Sequence, residues 1–383
     1  MAVPSELPAA TLAQALDRGE AVQVLDVRSA RRVAEQHISL GAGLDFHART
    51  ASAIYKDESL ASLGIDRSRP VAVVCGHGNS SRDVAQFLAA RGIDAHSVQG
   101  GMAAWEAVYI ERALEPTGRI AHVVQLDRVG KGALSYILAS DGDALLVDPG
   151  RHLDRYEAVL QRLSATPVAV IDTHVHADYQ SGARAAAQRF GIPYFLHRDD
   201  ATSPFDATPG KLSYQPVGRG DTIAFGTAAI TIDHVPGHTL GSIALIADDH
   251  YILTGDFLFV ASVGRPDLGG APDAWARLLW RSLAHAKQAW PREHVILPAH
   301  YASESERRAD RAVARTFGTV LDTNPALAFR DEPSFLRWLA EHYTVPPAAY
   351  RTLKLVNLGL IDTSEADIES LETGPNLCAV SPA

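Results

Sequence analysis

Two histidines one residue apart stand in the stretch THVHADY, where His174 and His176 are followed by Asp178 and Tyr179. The stretch follows the apolar run PVAVI, so these side chains are expected on a loop at the end of a buried strand. Imidazole and carboxylate groups held at a strand end are typical ligands of a transition metal. The spacing therefore predicts the first part of a metal site.

Three further strand ends carry side chains of the same kind. His238 lies in PGHT after the run AITIDHV, Asp256 closes YILTGD, and His300 closes HVILPAH. Loops anchored on rigid strands can bring together residues that are far apart in sequence. We therefore expect these three residues to join the histidines of the first stretch around one metal centre.

The four motifs HVHAD, PGHT, TGD and PAH resemble, in order and spacing, those of the metallo-β-lactamase superfamily over about residues 118–383. The resemblance implies an αββα sandwich with the metal at one edge of two packed sheets. In two-metal hydrolases of this superfamily a histidine follows the aspartate, whereas this chain has Tyr179. A phenol with a pKa of about 10 is a poor ligand at neutral pH. A second cation then loses a ligand, and a mononuclear site is expected.

Two other segments, SVGRPDLGG (262–270) and GPNLCAV (374–380), resemble the persulfide dioxygenase branch of this superfamily. The resemblance implies one Fe(II) per chain, held by His174, His238 and Asp256. It also implies that glutathione persulfide and O2 are the substrates and that sulfite and glutathione are the products.

Other polar residues would surround the iron and orient its ligands or bound water: His176, Asp178, Tyr179 and His300. The alternative for the two histidines and the aspartate is that they are inherited hydrolase ligands with only structural hydrogen bonds. Arg265 would bind a glutathione carboxylate through a bidentate contact. Its alternative is an ion pair with Asp267.

Cys75 follows the apolar run PVAVV and precedes a turn with two glycines and the start of a helix. Backbone N–H groups of such a turn stabilise an anion at the sulfur and so favour a thiolate that can carry a persulfide. The alternative is an inert buried thiol.

The segment LDVRSARRVAEQHI, the Cys75 loop and VQGGMAAW together resemble the rhodanese family of sulfurtransferases over about residues 5–112. The resemblance implies that Cys75 is the sulfur-carrying nucleophile. It also implies that the cradle around its sulfur consists of Gly76, His77, Gly78, Asn79 and Ser80. Members of the family commonly have arginines at two loop positions where this chain has glycine and serine, and His77 and Arg82 are the nearest replacements. A persulfide donor therefore fits this loop better than the anion thiosulfate does.

Between residues 20 and 110 short β-branched runs alternate with helical patterns, which predicts a doubly wound α/β domain. A helix is expected over 81–94, and a linker over 112–120, where proline and glycine interrupt the pattern. Further along, two sets of strands predict the sandwich, and the pattern from 303 predicts helices. The fold class is therefore α/β with two domains. They are expected over about residues 5–112 and 118–383.

The 383-residue chain has 46% hydrophobic residues and a formal charge of −10, which is typical of a soluble globular protein without a nucleic-acid-binding surface. It has no run of about 18 apolar residues and no signal-peptide pattern, so we expect a cytoplasmic protein that does not bind membranes. The two cysteines, Cys75 and Cys378, exclude a disulfide scaffold. Cys378 is expected to be a small buried hydrophobe, with sulfur carriage as its alternative.

Taken together, these patterns predict a bifunctional enzyme of sulfur metabolism that detoxifies sulfide. One domain would oxidise glutathione persulfide with Fe(II) and O2, and the other would transfer sulfane sulfur, with sulfite or thiosulfate as its partner. Two alternatives stay open: a glyoxalase II-like zinc thioester hydrolase on the same fold, and a non-catalytic sulfur carrier or sensor with a structural metal. A homodimer is also left open.

Overall fold

The computed structural model describes residues 6–57, 59–374 and 376–380. Within this part the chain forms two compact units, one mainly before and one mainly after the boundary between Ile110 and Glu111. Residues 128–132 and 373–374 also belong to the first unit. The exact domain bounds expected from the sequence stay a prediction.

The first unit is built on a parallel sheet. Its strands are β1 (Glu6–Pro8), β2 (Val22–Asp26), β3 (Leu44–Ala48), β4 (Val71–Val74) and β5 (Ala95–Gln99), in the spatial order β1-β5-β4-β2-β3. Its helices are α1 (Ala9–Asp17), α2 (Ala30–Glu35), α3 (Ala51–Lys56), α4 (Asn79–Ala89) and α5 (Gly101–Glu106), with a 3₁₀ turn at Ala61–Leu63.

Alternate residues of β4 face opposite sides of this sheet. Ala72 and Val74 pack in the same core as residues of α1 and α5, whereas Val71 and Val73 pack with residues of α3 and α4. Burial on both faces explains why the sequence of this strand is continuously apolar. The doubly wound α/β domain is confirmed. The helix expected over 81–94 is observed as α4, which begins earlier and ends before the turn that leads into β5.

The second unit contains two sheets. The first has β6 (Tyr109–Leu114), β7 (His122–Arg128), β8 (Ala133–Ser140), β9 (Asp143–Val147), β10 (Thr166–Ile171), β11 (Tyr194–His197) and β12 (Gln215–Val217), ordered from β12 to β6. The second has β13 (Thr222–Phe225), β14 (Ala228–His234), β15 (Ile243–Ala247), β16 (Tyr251–Gly255), β17 (Val295–Pro298) and β18 (Arg315–Thr316), in chain order.

Seven helices accompany these two sheets: α6 (Leu153–Leu163), α7 (Ala183–Phe190), α8 (Pro272–Ala289), α9 (Phe317–Thr323), α10 (Glu332–Glu341), α11 (Ala348–Asn357) and α12 (Glu365–Glu372), counted over the described residues. Three 3₁₀ turns lie at Arg198–Asp200, Glu304–Glu306 and Pro325–Leu327. In the described part of the chain, no helix is long and apolar enough to cross a lipid bilayer.

The main core of this unit lies between the two sheets. Leu138 and Leu145 of the first sheet share one apolar cluster with Leu245 and Leu253 of the second. On the outer face of the second sheet, residues of α8 and α10 form another cluster with residues of β15 and β16. Apolar residues on both faces of a sheet require cover on both sides. The unit is therefore the αββα sandwich that the sequence predicts.

Two expectations about secondary structure were wrong in part. The predicted linker at 112–120 begins with the second half of β6, because alternating residues of this strand are buried in its sheet, and only the rest of it lies between β6 and β7. The helices expected after 303 are observed from residue 317 onwards, but before that residue the pattern gives only a 3₁₀ turn. There the buried guanidinium of Arg307 pairs with the carboxylate of Asp127 at 2.6 Å and draws the segment inward.

Candidate metal centre and cysteine loop

The predicted metal-binding side chains meet at one edge of the sandwich. His174 and His176 lie on the loop after β10, His238 after β14, Asp256 after β16 and His300 after β17. All five are at most 1% exposed. The strand ends thus bring together residues that are up to 126 positions apart in the chain, from 174 to 300.

Three of these residues form a group suited to a metal ion. Nε2 of His174 lies 3.6 Å and Nε2 of His238 lies 3.5 Å from Oδ2 of Asp256. Neither of these nitrogens nor the carboxylate oxygens of Asp256 have a hydrogen-bond partner among the described residues. Buried polar atoms are normally paired, and a bound cation satisfies all of them at once. The residues therefore fit a metal ion.

Burial sets the protonation of this group. It lowers the pKa of His174 and His238 well below the usual value, which favours the neutral imidazole that binds metals. Burial also raises the pKa of Asp256, to about 6, because its carboxylate has been removed from water. A cation supplies the charge that an ionised carboxylate needs in this position.

Hydrogen bonds orient the two imidazoles. His238 donates from Nδ1 to the carbonyl oxygen of Arg265 at 2.9 Å, which directs Nε2 towards the metal group. Nδ1 of His174 lies 3.1 Å from the hydroxyl of Thr173, and this hydroxyl donates to Asp148 at 2.8 Å. Such outer contacts fix the tautomer and the angle of a metal-binding imidazole.

His176 and Tyr179 form a second layer. Nε2 of His176 lies 3.2 Å from Oδ1 of Asp148 and 3.1 Å from the hydroxyl of Tyr179, which donates to the carbonyl oxygen of Asp148. The two rings stack with centroids 4.4 Å apart. Burial acts to lower the pKa of His176, but Asp148 and Asp172 outweigh it and raise this pKa to about 9. The hydroxyl of Tyr179 therefore makes its hydrogen bonds with neighbouring residues of the protein.

Cys378 lies beside Asp178 and His300, which are next to the three-residue metal group. Its Sγ, the carboxylate of Asp178 and a ring nitrogen of His300 all lie within 4.8 Å of one another. Nε2 of His300 is 3.4 Å from Asp178 and 3.5 Å from Oδ1 of Asp256. Cys378 is fully buried, as expected, but its neighbours include charged groups as well as the apolar residues of its cluster.

The segment 376–380, which we call the C-terminal strap, is held against the loop that follows Asp256. Ala379 pairs with Gly264, and the carbonyl oxygen of Cys378 accepts a hydrogen bond of 2.8 Å from the N–H of Arg265. A Cβ at Gly264 would lie 1.8 Å from the carbonyl oxygen of Asp256. The absence of a side chain there lets this loop approach the metal ligands.

The guanidinium of Arg265 is fully engaged. Nε and one Nη donate to the carboxylate of Asp267 at 2.7 and 2.6 Å, and the remaining N–H groups meet Thr344 and the carbonyl oxygen of Leu377. The ion pair with Asp267, the alternative weighed for this residue, is the contact observed. No N–H group of Arg265 is left for a glutathione carboxylate, so the structure does not support carboxylate binding by this residue.

Sequence reasoning missed two acidic residues that organise the site. Asp148, which holds His176, follows β9 and therefore stands at a strand end like the ligands themselves. Asp200 accepts hydrogen bonds from the N–H of Val175 and the hydroxyl of Thr239, at 2.7 and 2.8 Å. It therefore ties the loop of His174 to the loop of His238. Of these two residues, only Asp148 could have been found from the sequence, because it directly follows an apolar strand as the predicted ligands do.

Cys75 lies at the end of β4 with its sulfur almost buried. Its Sγ accepts hydrogen bonds from the N–H of Gly78 at 3.1 Å and from the hydroxyl of Ser81 at 3.3 Å, and this hydroxyl lies 2.9 Å from that of Ser97. Gly78 has a φ of 90°, and a Cβ there would lie 2.9 Å from the backbone nitrogen of Gly100. The turn therefore requires glycine.

The expected cradle is only partly in contact with the sulfur. Of its five residues, Gly78 donates to the sulfur, whereas His77, Asn79 and Ser80 are exposed. Ser81 was missed, although it directly follows the predicted loop. Arg82, a suggested replacement for the loop arginines, forms an ion pair of 2.6 Å with Glu6.

Two family models match the chain. The model of the metallo-beta-lactamase superfamily matches residues 129–318, and that of the rhodanese-like domain matches residues 8–108. An uncharacterized protein of Mycobacterium leprae is 32% identical over 187 residues, which are 43% of this chain and 84% of the relative. The chain therefore combines an N-terminal rhodanese-like domain with a metallo-beta-lactamase domain.

Other relatives have assigned names. A hydroxyacylglutathione hydrolase of Anaeromyxobacter dehalogenans is 37% identical over 149 residues, or 38% of this chain and 53% of that enzyme. A metallo-beta-lactamase structure from Staphylococcus aureus has a TM-score of 0.55 at 24% identity, covering 67% of this chain and 74% of that one. The ETHE1 structure from Myxococcus xanthus has a TM-score of 0.51 at 21% identity, covering 66% and 100%. The two structures share the fold of the part of this chain that they cover.

Metal content should separate ligands from their neighbours. We expect His174→Ala, His238→Ala or Asp256→Ala to remove nearly all bound metal, because each deletes one of three protein ligands. His176→Ala should weaken metal binding by only about 10- to 100-fold, since it removes an orienting group. Metal analysis of anaerobically purified variants measures this, with Cys75→Ser as the control. Equal metal loss in His176→Ala and His174→Ala would refute this choice of ligands.

Acid should release the metal. Because the pKa of Asp256 is raised to about 6, protons compete with the metal for this carboxylate as the pH falls below that value. We expect the affinity to decrease by about tenfold per pH unit below pH 6 and to level off above it. Anaerobic titration with a weak chelator between about pH 5 and pH 8 measures the dependence. A constant affinity over this range would contradict the assignment.

Proposed function

We propose that this chain is an Fe(II)-dependent persulfide dioxygenase whose N-terminal domain transfers sulfane sulfur. The observation that carries the proposal is the pairing of a buried three-ligand group with a tyrosine that is engaged elsewhere. The hydroxyl of Tyr179 bonds to Asp148 and His176, so it is not directed to a second cation beside Asp178. Two histidines and one carboxylate with open positions form the donor set of non-haem Fe(II) oxygenases.

The reaction balances when water supplies the third oxygen atom of sulfite. Glutathione persulfide, O2 and water give glutathione, sulfite and two protons, so the outer sulfur is oxidised and O2 is reduced. Bound at His174, His238 and Asp256, Fe(II) would supply adjacent open positions for O2 and for the terminal sulfur. The chain itself holds the two imidazoles in the neutral form and keeps the carboxylate of Asp256 between them.

The second layer keeps protons in defined places. Asp148 holds a proton on Nε2 of His176, and the hydroxyl of Tyr179 closes the remaining side of that nitrogen. These contacts hold Nε2 of His176 on Asp148, while Nδ1 of the same ring has no hydrogen-bond partner among the described residues. Burial raises the pKa of Tyr179 well above its usual value, so the phenol stays protonated and is a poor metal ligand.

In the N-terminal domain Cys75 would carry sulfane sulfur as a persulfide. Attack of sulfite on the outer sulfur forms an S–S bond, breaks the bond to the Sγ of Cys75, and releases thiosulfate and the thiolate. The same steps run in reverse from thiosulfate. The N–H of Gly78 and the hydroxyl of Ser81 support the anionic sulfur. With Arg82 paired to Glu6, the loop favours a persulfide over thiosulfate as donor.

A second candidate is a zinc hydroxyacylglutathione hydrolase. It is favoured by the 37% identity to an enzyme of that name, of which this chain covers 53%. Asp178 and His300 also lie 3.4 Å apart, a spacing that suits a second cation. Metal analysis after oxygen-free purification separates the two candidates: one iron per chain supports the dioxygenase, and two zinc ions support the hydrolase.

Oxygen consumption tests the main proposal directly. Iron-loaded protein should take up one O2 per glutathione persulfide and release sulfite, as measured with an oxygen electrode and a sulfite assay. The protein should hydrolyse S-lactoylglutathione poorly under the same conditions. Asp256→Ala is the matched inactive control. Rapid thioester hydrolysis without O2 uptake would favour the second candidate.

Placing a histidine at position 179 should not create an efficient thioesterase. In Tyr179→His the hydrogen bond to the carbonyl oxygen of Asp148 is lost, and zinc occupancy should rise. The surrounding groups still suit a single ion, so S-lactoylglutathione hydrolysis should stay far below O2-dependent activity of the unchanged protein. Tyr179→Phe controls for loss of the hydroxyl alone. Strong hydrolysis by Tyr179→His would show that one residue decides the chemistry.

Cys75→Ser should abolish thiosulfate formation while oxidation of glutathione persulfide persists. A serine oxygen cannot form a stable persulfide, and the metal group contains no residue of the N-terminal domain. Mass spectrometry after treatment with a sulfur donor should find one added sulfur on Cys75, since Cys378 is fully buried. Cys378→Ser is the control. An adduct found only on Cys378 would remove the sulfur-transfer half of the proposal.

A further inference from the structure

A cavity of about 720 Å³ opens in the second unit between α7, the segment that leads into β12, and the end of α11. Sites for whole small molecules are usually about 300–1,000 Å³ in volume, so the cavity can hold a complete ligand. Its lining includes none of the three residues of the metal group. A ligand in this cavity would therefore not be held by the metal.

Two basic side chains, those of Arg184 and Lys211, line the wall of this cavity. Both are exposed to solvent, and none of the described residues forms a hydrogen bond or an ion pair with either cationic group. The acidic residue of the described wall, Asp172, is 2% exposed, and its carboxylate accepts hydrogen bonds from the hydroxyls of Ser181 and Tyr194 at 2.7 and 2.9 Å. The two cations therefore border the cavity without a paired carboxylate in the described part of the chain.

Backbone contacts bring these two basic residues to the same place. The N–H of Lys211 donates to the carbonyl oxygen of Leu358, just after α11, at 2.8 Å. A Cβ on the next residue, Gly359, would lie 2.9 Å from the carbonyl oxygen of Lys211 and 3.0 Å from Nη1 of Arg184. Gly359 has a φ of 68°, a conformation that favours glycine. This turn therefore holds the guanidinium of Arg184 beside the backbone of Lys211.

Other parts of the wall suit the organic part of a ligand. The ring of Tyr214 is half-buried, and Ile192 and Val356 add apolar surface. The N-terminal end of α7 also borders the cavity, through Arg184 and Ala185, and this end of a helix carries a positive partial charge. A ligand with both an anionic group and an apolar body would use both kinds of surface.

The cavity shares a wall with the loop that carries His174 and His176. Asn357, in this wall, donates from Nδ2 to the carbonyl oxygens of His176 and Tyr179, both at 2.9 Å. Its Oδ1 accepts a hydrogen bond of 3.0 Å from the N–H of Ser181. A ligand packed against Asn357 would therefore restrain the loop after β10.

We propose that this cavity binds a small organic phosphate monoester, about the size of a mononucleotide, which acts as an effector of the neighbouring metal group. The guanidinium of Arg184 offers two parallel N–H donors to two phosphate oxygens, and the ammonium group of Lys211 adds a point charge. A phosphate monoester carries about two negative charges at neutral pH, which two cations balance. The inference does not depend on the reaction proposed for the metal group.

Calorimetry with adenosine 5′-monophosphate as the probe tests the site. Iron-loaded protein without O2 should bind the nucleotide, and Arg184→Gln or Lys211→Gln should each weaken binding about tenfold, because each removes a charge-assisted contact. Arg155→Gln, which removes an exposed arginine outside the cavity wall, is the matched control and should leave the affinity unchanged. Asp256→Ala should also bind normally, since it removes a metal ligand but no wall residue. Loss of binding in Asp256→Ala would show that the phosphate binds to the metal instead.

Three further probes test the class of ligand. Inorganic phosphate and adenosine each lack one part of the nucleotide and should bind more weakly, as should the dicarboxylate succinate. Ser213→Trp fills the cavity without changing a charge and should weaken nucleotide binding as well. Equal affinity for inorganic phosphate would overturn the organic part of the ligand, and preference for succinate would overturn the phosphate. Absence of nucleotide binding, or binding that neither Arg184→Gln nor Ser213→Trp weakens, would overturn the site.

Release of the metal tests the effector role. With the nucleotide bound, a chelator should remove iron from the unchanged protein several-fold more slowly, because binding stabilises the conformation that holds the loop of His174 and His176. Arg184→Gln should abolish this effect. The same rate of release with and without saturating nucleotide would overturn the effector role. Neither measurement involves O2 uptake, so both stay decisive if the proposed dioxygenase function fails.

Discussion

The second unit is organised around one electrostatic constraint: carboxylates and imidazoles are buried at the sheet edge without enough partners of their own. Asp256 places one oxygen near His174 and His238 and the other near His300. In the absence of a cation such a group is unfavourable. The surrounding structure therefore serves to hold it, through the hydrogen bonds of Asp148 and the close approach of Gly264.

Under the proposed function, the two units would handle sulfur in different electrostatic settings. Around Cys75 the sulfur is met by a backbone N–H and a hydroxyl, and the nearby arginine is neutralised by Glu6. Around the metal group several ionisable side chains are fully buried, and Lys354 of α11, also buried, adds a cation. A neutral cradle suits transfer of a sulfane sulfur atom, whereas a charged pocket suits binding and oxidation of an anionic persulfide. The two chemistries thus place different demands on the chain.

Much of this architecture could be predicted from the sequence. Apolar runs that end in histidine or aspartate predicted both the strands and the residues that meet at their ends, because parallel strands and rigid loops converge. Hydrogen bonding by side chains was not predictable in the same way. The sequence gives the type of Arg265 but not that Thr344, from a distant segment, occupies its N–H groups. Lys354 stands in an ordinary helical pattern, and only the fold places it beside the metal group.

The C-terminal strap has a consequence for exchange of the metal. Gly264 and Ala379 are separated by 115 positions, and the strap is anchored by backbone hydrogen bonds to Val263 and Arg265 and by the burial of Cys378 and Val380. Undocking the strap would expose these two apolar side chains to water, which costs free energy. It would also free the loop whose carbonyl oxygen orients His238, while the other candidate ligands stay on their strands. Exchange of an ion at this site would therefore be coupled to the undocking of five residues that are distant in sequence from the motifs that would bind it.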